Sequence, residues 1–295
     1  MKDHLLRAMD RGRNIRASVV RSTDTVETAR ITHQTSPTAT AALGRALTAG
    51  LLLRSKLKGE GESLSLNIKG NGPVGQILVT GRNNGFIKGY VAHPEADLPP
   101  KSDGHLDVGG LVGNEGTLSV VMDLGVREPY VGKVELVSGE IGEDVAHYLL
   151  QSEQIPSAVG LGVLVDTDTS VRNAGGFIIE VLPGCDEEFL KKIEGHLGKV
   201  HSITELLEEG YGPRELLEAV LPEVEWDILE ESDVYFVCEC SKEKVMDSLS
   251  ALHPDEIRTI IDEDHGAEVH CHFCNSSYHL DEAELEEIHR IASQG

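Results

Sequence analysis

Residues 63–80 read SLSLNIKGNGPVGQILVT and decide how the first half of the chain is interpreted. Apolar and polar residues alternate strictly over 63–69, which is typical of a strand with one buried face. The GNGP sequence at 70–73 predicts a turn, and residues 74–80 are the expected returning strand. The stretch therefore predicts an antiparallel hairpin.

The segments on either side of this hairpin are predicted to add helices and further strands to the same domain. On the N-terminal side, Ser36 followed by Pro37 predicts a helix start, and apolar residues at nearly helical spacing continue to about Arg54. On the C-terminal side a helix is expected at 141–154. Further strands are predicted at 86–92, 117–124, 131–137, 159–165 and 177–181. The fold class predicted for this part is α+β, sheet-rich with packed helices.

Charge is distributed unevenly along the 295 residues. The chain has 26 Lys and Arg against 50 Asp and Glu, a net charge of −24. Residues 1–185 hold 18 basic and 21 acidic residues, whereas residues 186–295 hold 8 and 29. This acidity disfavours nucleic acids and anionic membranes as partners. Because residues 1–18 lack an apolar core of signal-peptide length, a cytoplasmic location is expected.

A change in composition divides the chain into three expected domains: an α+β domain at 1–184, an acidic helical linker at 185–233 and a small domain at 234–295. Residues 186–233 hold 15 acidic and 4 basic residues. Short amphipathic helices are predicted at 186–200, 202–210 and 213–220. They are either an ordinary solvated face or a metastable segment, since short helices with like charges are marginal alone.

The third domain carries the most specific motif. Cys238-Glu239-Cys240 and Cys271-His272-Phe273-Cys274 are two cysteine pairs separated by 30 residues. Four thiols in two close pairs suit a tetrahedral zinc site. Helices are expected at 245–252 and 254–261 and a strand at 268–272. The nearby histidines that can replace one sulfur are His265, His270, His272 and His279.

The chemistry of such a site leaves two interpretations open. One is an inert zinc staple for a domain too small to be stable alone. The other is a redox switch, since each pair is close enough in sequence to form its own disulfide, and strained disulfides are labile. Cys185 lies outside the motif and is expected to be an inert thiol.

Taken together, the chain resembles the heat shock protein 33 family of bacterial, redox-regulated holdase chaperones. The cysteine motif lies in VCECSKEKV, HPDEI and CHFCNSSYHL, which resemble the family's zinc-binding redox domain. The stretches HQTSPTATAALGRALTAGLLL, KGNGPVGQILV and GGFIIEVLPG resemble its substrate-binding domain.

The resemblance implies a site and a role. Cys238, Cys240, Cys271 and Cys274 would bind one zinc ion (Zn2+) as thiolates in the reduced, inactive protein. Oxidation would form the Cys238–Cys240 and Cys271–Cys274 disulfides, release the zinc and unfold the third domain and the linker. Apolar surface would then hold unfolding client proteins without ATP, and the oxidised protein would form a homodimer through its N-terminal domain.

Neither other class of function has comparable support. An enzyme is disfavoured because four cysteines close the metal shell and no G-x-S-x-G or H-E-x-x-H motif occurs. A nucleic-acid-binding zinc module is disfavoured because residues 235–295 hold 4 basic and 14 acidic residues. The client-binding surface is not located by the sequence: the strand at 63–69 and the linker helices are both candidates.

Overall fold

The structure is a computed structural model that describes residues 2–59, 61–126, 128–200 and 202–293. The chain divides into two compact units, the first ending at Val237 and the second beginning at Cys238. The first unit extends four residues beyond the expected boundary at 233/234. The reason is that Tyr235 and Val237 donate backbone hydrogen bonds to the Gly85 and Ile87 carbonyls of the first unit.

The first unit contains two antiparallel sheets with helices between and outside them. Its strands are β1 (His4–Asp10), β2 (Ile15–Arg21), β3 (Ser63–Lys69), β4 (Gln76–Arg82), β5 (Phe86–Val91), β6 (Thr117–Asp123), β7 (Tyr130–Glu135), β8 (Ser157–Val165), β9 (Val171–Val181), β10 (Trp226–Asp233) and β11 (Tyr235–Phe236). Its helices are α1 (Thr23–His33), α2 (Pro37–Arg54), α3 (Val108–Val112), α4 (Gly142–Gln151), α5 (Glu187–Leu197), α6 (Ile203–Glu208) and α7 (Pro213–Val220). One sheet has the order β10-β1-β2-β9-β8, and the other has the order β11-β5-β4-β3-β6-β7, in which β11 alone runs parallel to its neighbour. The prediction of an α+β fold is confirmed.

Helix α2 is the element around which both sheets pack. It begins as predicted: the Ser36 hydroxyl accepts a hydrogen bond from the Ala39 N–H at 3.1 Å. The helix packs against β8 and β9 of one sheet and β3, β4 and β5 of the other. A Cβ on Gly44 would lie 2.6 Å from Val26 Cγ1, so only glycine permits this close packing. The small residues of α2 therefore let one helix form the core of two sheets.

The hairpin of β3 and β4 is present, with a shifted second strand. Lys69 pairs with Gln76, so β4 begins two residues later than predicted. Val74 belongs to the turn because it is buried and its N–H donates to the Leu111 carbonyl at 3.1 Å. This contact depends on α3, which the sequence analysis did not predict.

The segment expected to be a linker covers the outer face of the five-stranded sheet. Helices α5, α6 and α7 form at the predicted positions, and their apolar residues join those of β1, β2 and β9 in one buried cluster. We call the sheet side of this cluster the linker-covered face: Leu6, Ala8, Ile15, Ala17, Val19, Phe177 and Ile179. The linker contributes Ile193, Ile203, Leu207, Leu216, Leu217, Val220 and Leu221.

The linker ends in a strand that the sequence analysis did not include. Strand β10 pairs antiparallel with β1 at the edge of the five-stranded sheet. Arg7 Nη1 lies 2.9 Å from Glu230 Oε2, and Arg11 Nη1 lies 2.7 Å from Glu225 Oε2. Basic side chains of β1 and of the residue that follows it thus offset part of the linker's negative charge.

The second unit is small. It contains α8 (Lys242–Leu249), α9 (Pro254–Asp264), β12 (Gly266–His270), β13 (Ser277–Asp281) and α10 (Glu282–Ala292). Its buried core consists of Ile257, Ile261, Leu280, Leu285 and Ile288. So small a core supplies little stability by itself, and such domains normally require a metal or disulfides. Within the residues described, no helix is long and apolar enough to cross a bilayer.

Candidate metal centre

One cysteine pair lies in the turn of the β12–β13 hairpin. Cys271 directly follows β12, and its N–H donates to the Ser276 carbonyl at 2.9 Å. The Asn275 N–H donates to the Cys271 carbonyl at 2.8 Å, and Asn275 adopts a left-handed backbone with φ of 57°. Asparagine tolerates this conformation better than most residues. The turn therefore holds Cys271 and Cys274 on one tight bend.

The other pair lies just before helix α8. Ser241 caps this helix, its hydroxyl accepting the Lys244 N–H at 3.3 Å. The Lys244 ammonium donates to the Glu239 carbonyl at 2.6 Å, which fixes the backbone between the two cysteines. Cys238 and Cys240 are thus held by the start of a helix, and Cys271 and Cys274 by a hairpin turn.

The structure brings all four sulfur atoms together. Cys238 Sγ lies 3.7 Å from Cys271 Sγ, Cys240 Sγ lies 3.3 Å from Cys274 Sγ, and all four sulfurs lie within 4.8 Å of one another. All four cysteines are free thiols. A tetrahedron with metal–sulfur bonds of about 2.3 Å has sulfur–sulfur edges of about 3.8 Å. The cluster therefore has the size and the soft donors that a four-coordinate metal ion requires.

The surroundings shift the thiol pKa values of Cys271 and Cys274 in opposite directions. Burial raises the pKa of the Cys271 thiol. Burial also acts to raise the pKa of Cys274, but hydrogen bonds with the Ser276 hydroxyl and backbone N–H, and with the sulfurs of Cys240 and Cys271, outweigh it and lower this pKa to about 7. The thiolate is both the metal-binding and the oxidisable form of cysteine. The turn itself thus favours the reactive form of one sulfur.

Tyr278 is a functional candidate that the sequence analysis missed. Its hydroxyl donates a hydrogen bond to Cys240 Sγ at 3.0 Å, and this bond raises the pKa of Tyr278 to about 12. Tyr278 lies on β13 opposite Val269. In the sequence, Tyr278 is visible only as a tyrosine four residues after the C-x-x-C motif. The register of the β12–β13 hairpin is what places its hydroxyl beside Cys240, in the first cysteine pair.

The other residues considered as metal ligands or reactive thiols lie outside this cluster of four sulfurs. Among the described residues the metal-ligating cluster contains four sulfurs and no histidine. Two of the nearby histidines contact Glu268 instead: His270 Nε2 lies 3.5 Å and His279 Nε2 lies 3.6 Å from its carboxylate. Cys185 belongs to the first unit, where burial and the charges of Asp10 and Asp186 raise its thiol pKa. It therefore stays protonated and less reactive.

Known proteins resemble this chain along its whole length. A 33 kDa chaperonin of Geobacillus kaustophilus is 46% identical over 294 residues, covering 100% of both chains. A 33 kDa chaperonin of Enterococcus faecalis is 48% identical over 288 residues, which are 98% of this chain and 96% of that protein. The crystal structure of a 33 kDa chaperonin from Thermotoga maritima, a heat shock protein 33 homologue, has a TM-score of 0.89 and 36% identity, with 100% of both chains covered. The family model described as Hsp33 protein matches residues 3–281, and the chain therefore belongs to the Hsp33 family of chaperones.

Proposed function

We propose that this chain is a cytoplasmic, ATP-independent holdase that oxidation activates, with residues 1–184 as the client-binding domain, 185–233 as the linker and 234–295 as the redox switch. The observation that carries the proposal is the cluster of four thiols in a unit whose apolar core is small. Family membership supports the chaperone activity, and the linker-covered face supplies a buried apolar surface that can be uncovered.

The cofactor we propose is one zinc ion, held by Cys238, Cys240, Cys271 and Cys274 in the reduced protein. When bound, zinc would contribute an apparent ~10–16 kcal/mol to the folding of its module. Four sulfur ligands would fill the tetrahedral shell of such an ion and would leave no open position for a substrate, which supports a structural and regulatory site rather than an enzyme.

Oxidation removes the ligand set. Each cysteine pair gives two electrons to one molecule of peroxide: two thiolates, two protons from solvent and H2O2 yield one S–S bond and two water molecules. Cys238 pairs with Cys240, and Cys271 pairs with Cys274, so two molecules of peroxide oxidise the whole site. A disulfide that closes a loop of 3–4 residues contributes only about 2 kcal/mol. The second unit therefore exchanges a strong constraint for two weak ones and unfolds.

Unfolding of this unit then weakens the linker that precedes it. The linker ends at Asp233, five residues before Cys238, so the linker and the cysteine cluster are close neighbours in the chain. Helix α6 spans only Ile203–Glu208, and the linker carries a large excess of acidic residues. Short helices of like charge are stable only while they are docked. Once the linker undocks, the linker-covered face is exposed, and we propose that it binds unfolding clients.

Other parts of the proposal rest on charge and on the family. A net charge of −24 disfavours nucleic acids and anionic membranes as partners, and membership of a chaperone family supports unfolded proteins as the clients. This net charge also keeps a protein with exposed apolar surface in solution. The oxidised protein is proposed to form a homodimer through residues 1–184.

The test is light scattering of a heat-unfolding client with the chain added either reduced and zinc-loaded or peroxide-treated. Zinc release is followed in the same samples with a chelating dye. We expect only the oxidised sample to suppress aggregation, in parallel with loss of about one zinc per chain. Equal suppression of aggregation by both samples would show that the cysteines form a purely structural site and would refute the redox switch.

Tyr278→Phe should weaken zinc binding and speed oxidation. The change removes the hydroxyl that donates to Cys240 Sγ while keeping the ring. Loss of such a supporting hydrogen bond typically costs about 10- to 100-fold in metal affinity. Competition with a chelator measures the affinity, and Tyr130→Phe, which removes a hydroxyl that bonds to Ser152 in the first unit, is the control. An unchanged affinity would mean that the Tyr278 hydroxyl does not support the cluster.

A further inference from the structure

A second group of metal-ligating side chains lies on the β12–β13 hairpin, outside the four-cysteine cluster. Glu268 on β12 pairs directly with His279 on β13, and His270 lies two residues further along β12. Successive side chains of a strand point to opposite faces, so these three side chains share one face. Tyr278, whose hydroxyl donates to Cys240 Sγ, lies on the other face. The hairpin therefore presents two imidazoles and a carboxylate on the face opposite Tyr278.

The register of the hairpin brings the carboxylate and one imidazole close together. The Cys271 N–H donates to the Ser276 carbonyl, which makes these two residues a hydrogen-bonded pair. Hydrogen-bonded and non-hydrogen-bonded pairs alternate along an antiparallel ladder, and side chains lie closer in the second kind. Counted from Cys271 and Ser276, the pair of Glu268 and His279 is of the second kind.

The distances within this group fit a shared metal ion and are too long for hydrogen bonds. Glu268 Oε1 lies 3.5 Å from His270 Nε2 and 3.6 Å from His279 Nε2. Hydrogen bonds between nitrogen and oxygen span about 2.7–3.2 Å. Zinc bonds of about 2.0–2.2 Å to nitrogen and oxygen give tetrahedral edges of about 3.3–3.6 Å. An ion placed between the carboxylate and either imidazole would therefore meet both at ordinary bond lengths.

The orientation of His270 also suits a metal ligand. Its Nδ1 lies 2.8 Å from the hydroxyl of Ser277, its partner across the hairpin. Metal-bound histidines normally hold their second ring nitrogen in such a hydrogen bond, which directs the other nitrogen at the ion. The side chain of His279 is 75% exposed, so it can rotate toward the same ion. Two nitrogens and one oxygen are thus available, and water would complete the shell.

The charge around the hairpin favours a cation. Residues 235–295 hold 14 acidic and 4 basic residues. In the described part of the chain, the Glu268 carboxylate forms no ion pair with a lysine or an arginine. Its negative charge is therefore available to a divalent ion. Imidazole is a ligand that zinc accepts and that magnesium and calcium do not favour, so the donor set selects zinc.

We propose that Glu268, His270 and His279 form a second, weaker zinc site on the exposed face of the β12–β13 hairpin. A bound ion would tie β12 to β13, the strands whose turn holds Cys271 and Cys274. Excess zinc would then stabilise the second unit by mass action and slow its unfolding after oxidation. Only this last consequence rests on the proposed redox switch, because the binding itself needs no oxidation.

Equilibrium dialysis of the full-length, reduced protein tests the site. The chain is first loaded with one zinc, and free zinc is then raised stepwise while bound zinc is measured by atomic absorption. The native chain should bind a second zinc. His279→Ala and Glu268→Gln should bind it at least about tenfold more weakly, since even loss of an outer-shell partner costs that much. His265→Ala is the matched control, because this exposed imidazole also lies beside a carboxylate, that of Glu282.

Two further measurements identify the ligands and the effect of the ion. Nitrogen NMR of the histidine rings should show that the second zinc shifts the Nε2 signals of His270 and His279. Under peroxide, the second zinc should slow release of the first from the native chain and leave H279A unaffected. Equal release rates with and without the second zinc would overturn the stabilising effect.

The outcomes separate this site from the proposed function. A native chain that stays at one bound zinc would overturn the second site. A second zinc that H279A and E268Q bind as tightly as the native chain would overturn it too, because that ion would lie elsewhere. Failure of peroxide to release any zinc would instead refute the redox switch and leave the second site standing.

Discussion

Cys271→Ser should unfold the second unit even in reducing buffer. The substitution removes one of four sulfurs, and a hydroxyl is a far poorer ligand for a soft metal site. The core that remains is only the small cluster around Ile257, Ile261 and Ile288. A structural zinc site supplies an apparent ~10–16 kcal/mol, which is as large as the whole stability of an ordinary domain. The change therefore removes most of what keeps this unit folded.

Three measurements on the reduced protein check this expectation. Metal analysis should show loss of the one zinc per chain, far-ultraviolet circular dichroism should show loss of helix, and limited proteolysis should cut the chain after Val237. Cys185→Ser is the matched control, because its thiol lies in the first unit and should change none of these signals. Full protease resistance of C271S would show that the unit is stable without its metal, and oxidation could then not act by unfolding it.

Local patterns predicted the elements that depend on local sequence. Helix α2 begins at Pro37 as expected, because the Ser36 cap and the small residues that follow are sufficient to specify it. The spacing of the two cysteine pairs also indicated a four-thiol cluster, and the four sulfurs do lie together. In both cases the signal lies within a few residues of the feature that it predicts.

Elements that depend on distant partners were missed. Strand β10 reads WDILEESD, whose acidic residues suggest a solvated segment, yet it pairs with β1 more than 200 residues earlier in the chain. Tyr278 reaches Cys240 only because the hairpin register places it there. The linker-covered face is assembled from β1, β2 and β9, so no single stretch of sequence could reveal it. Register and sheet order, rather than composition, decide these features.

Leu216→Ala should make the reduced, zinc-loaded chain an active holdase without oxidation. Leu216 is fully buried in α7, where it packs in the cluster that closes the linker-covered face. Truncating a buried leucine costs about 2–5 kcal/mol. The substitution destabilises only the state in which the linker is docked. The ratio of undocked to docked linker therefore rises roughly 30-fold to several thousandfold. The four-cysteine cluster is untouched, because the substitution lies in the first unit.

Hydrogen exchange and light scattering together test this coupling between the linker and client binding. Amides of α5, α6 and α7 should exchange faster in L216A, zinc content should stay at one per chain, and client aggregation should fall under reducing conditions. Glu218→Ala, an exposed position on the same helix, should leave all three unchanged. If the linker amides exchange faster in L216A while aggregation is not suppressed, then uncovering this face does not create the client-binding site, and clients must bind another surface of the first unit.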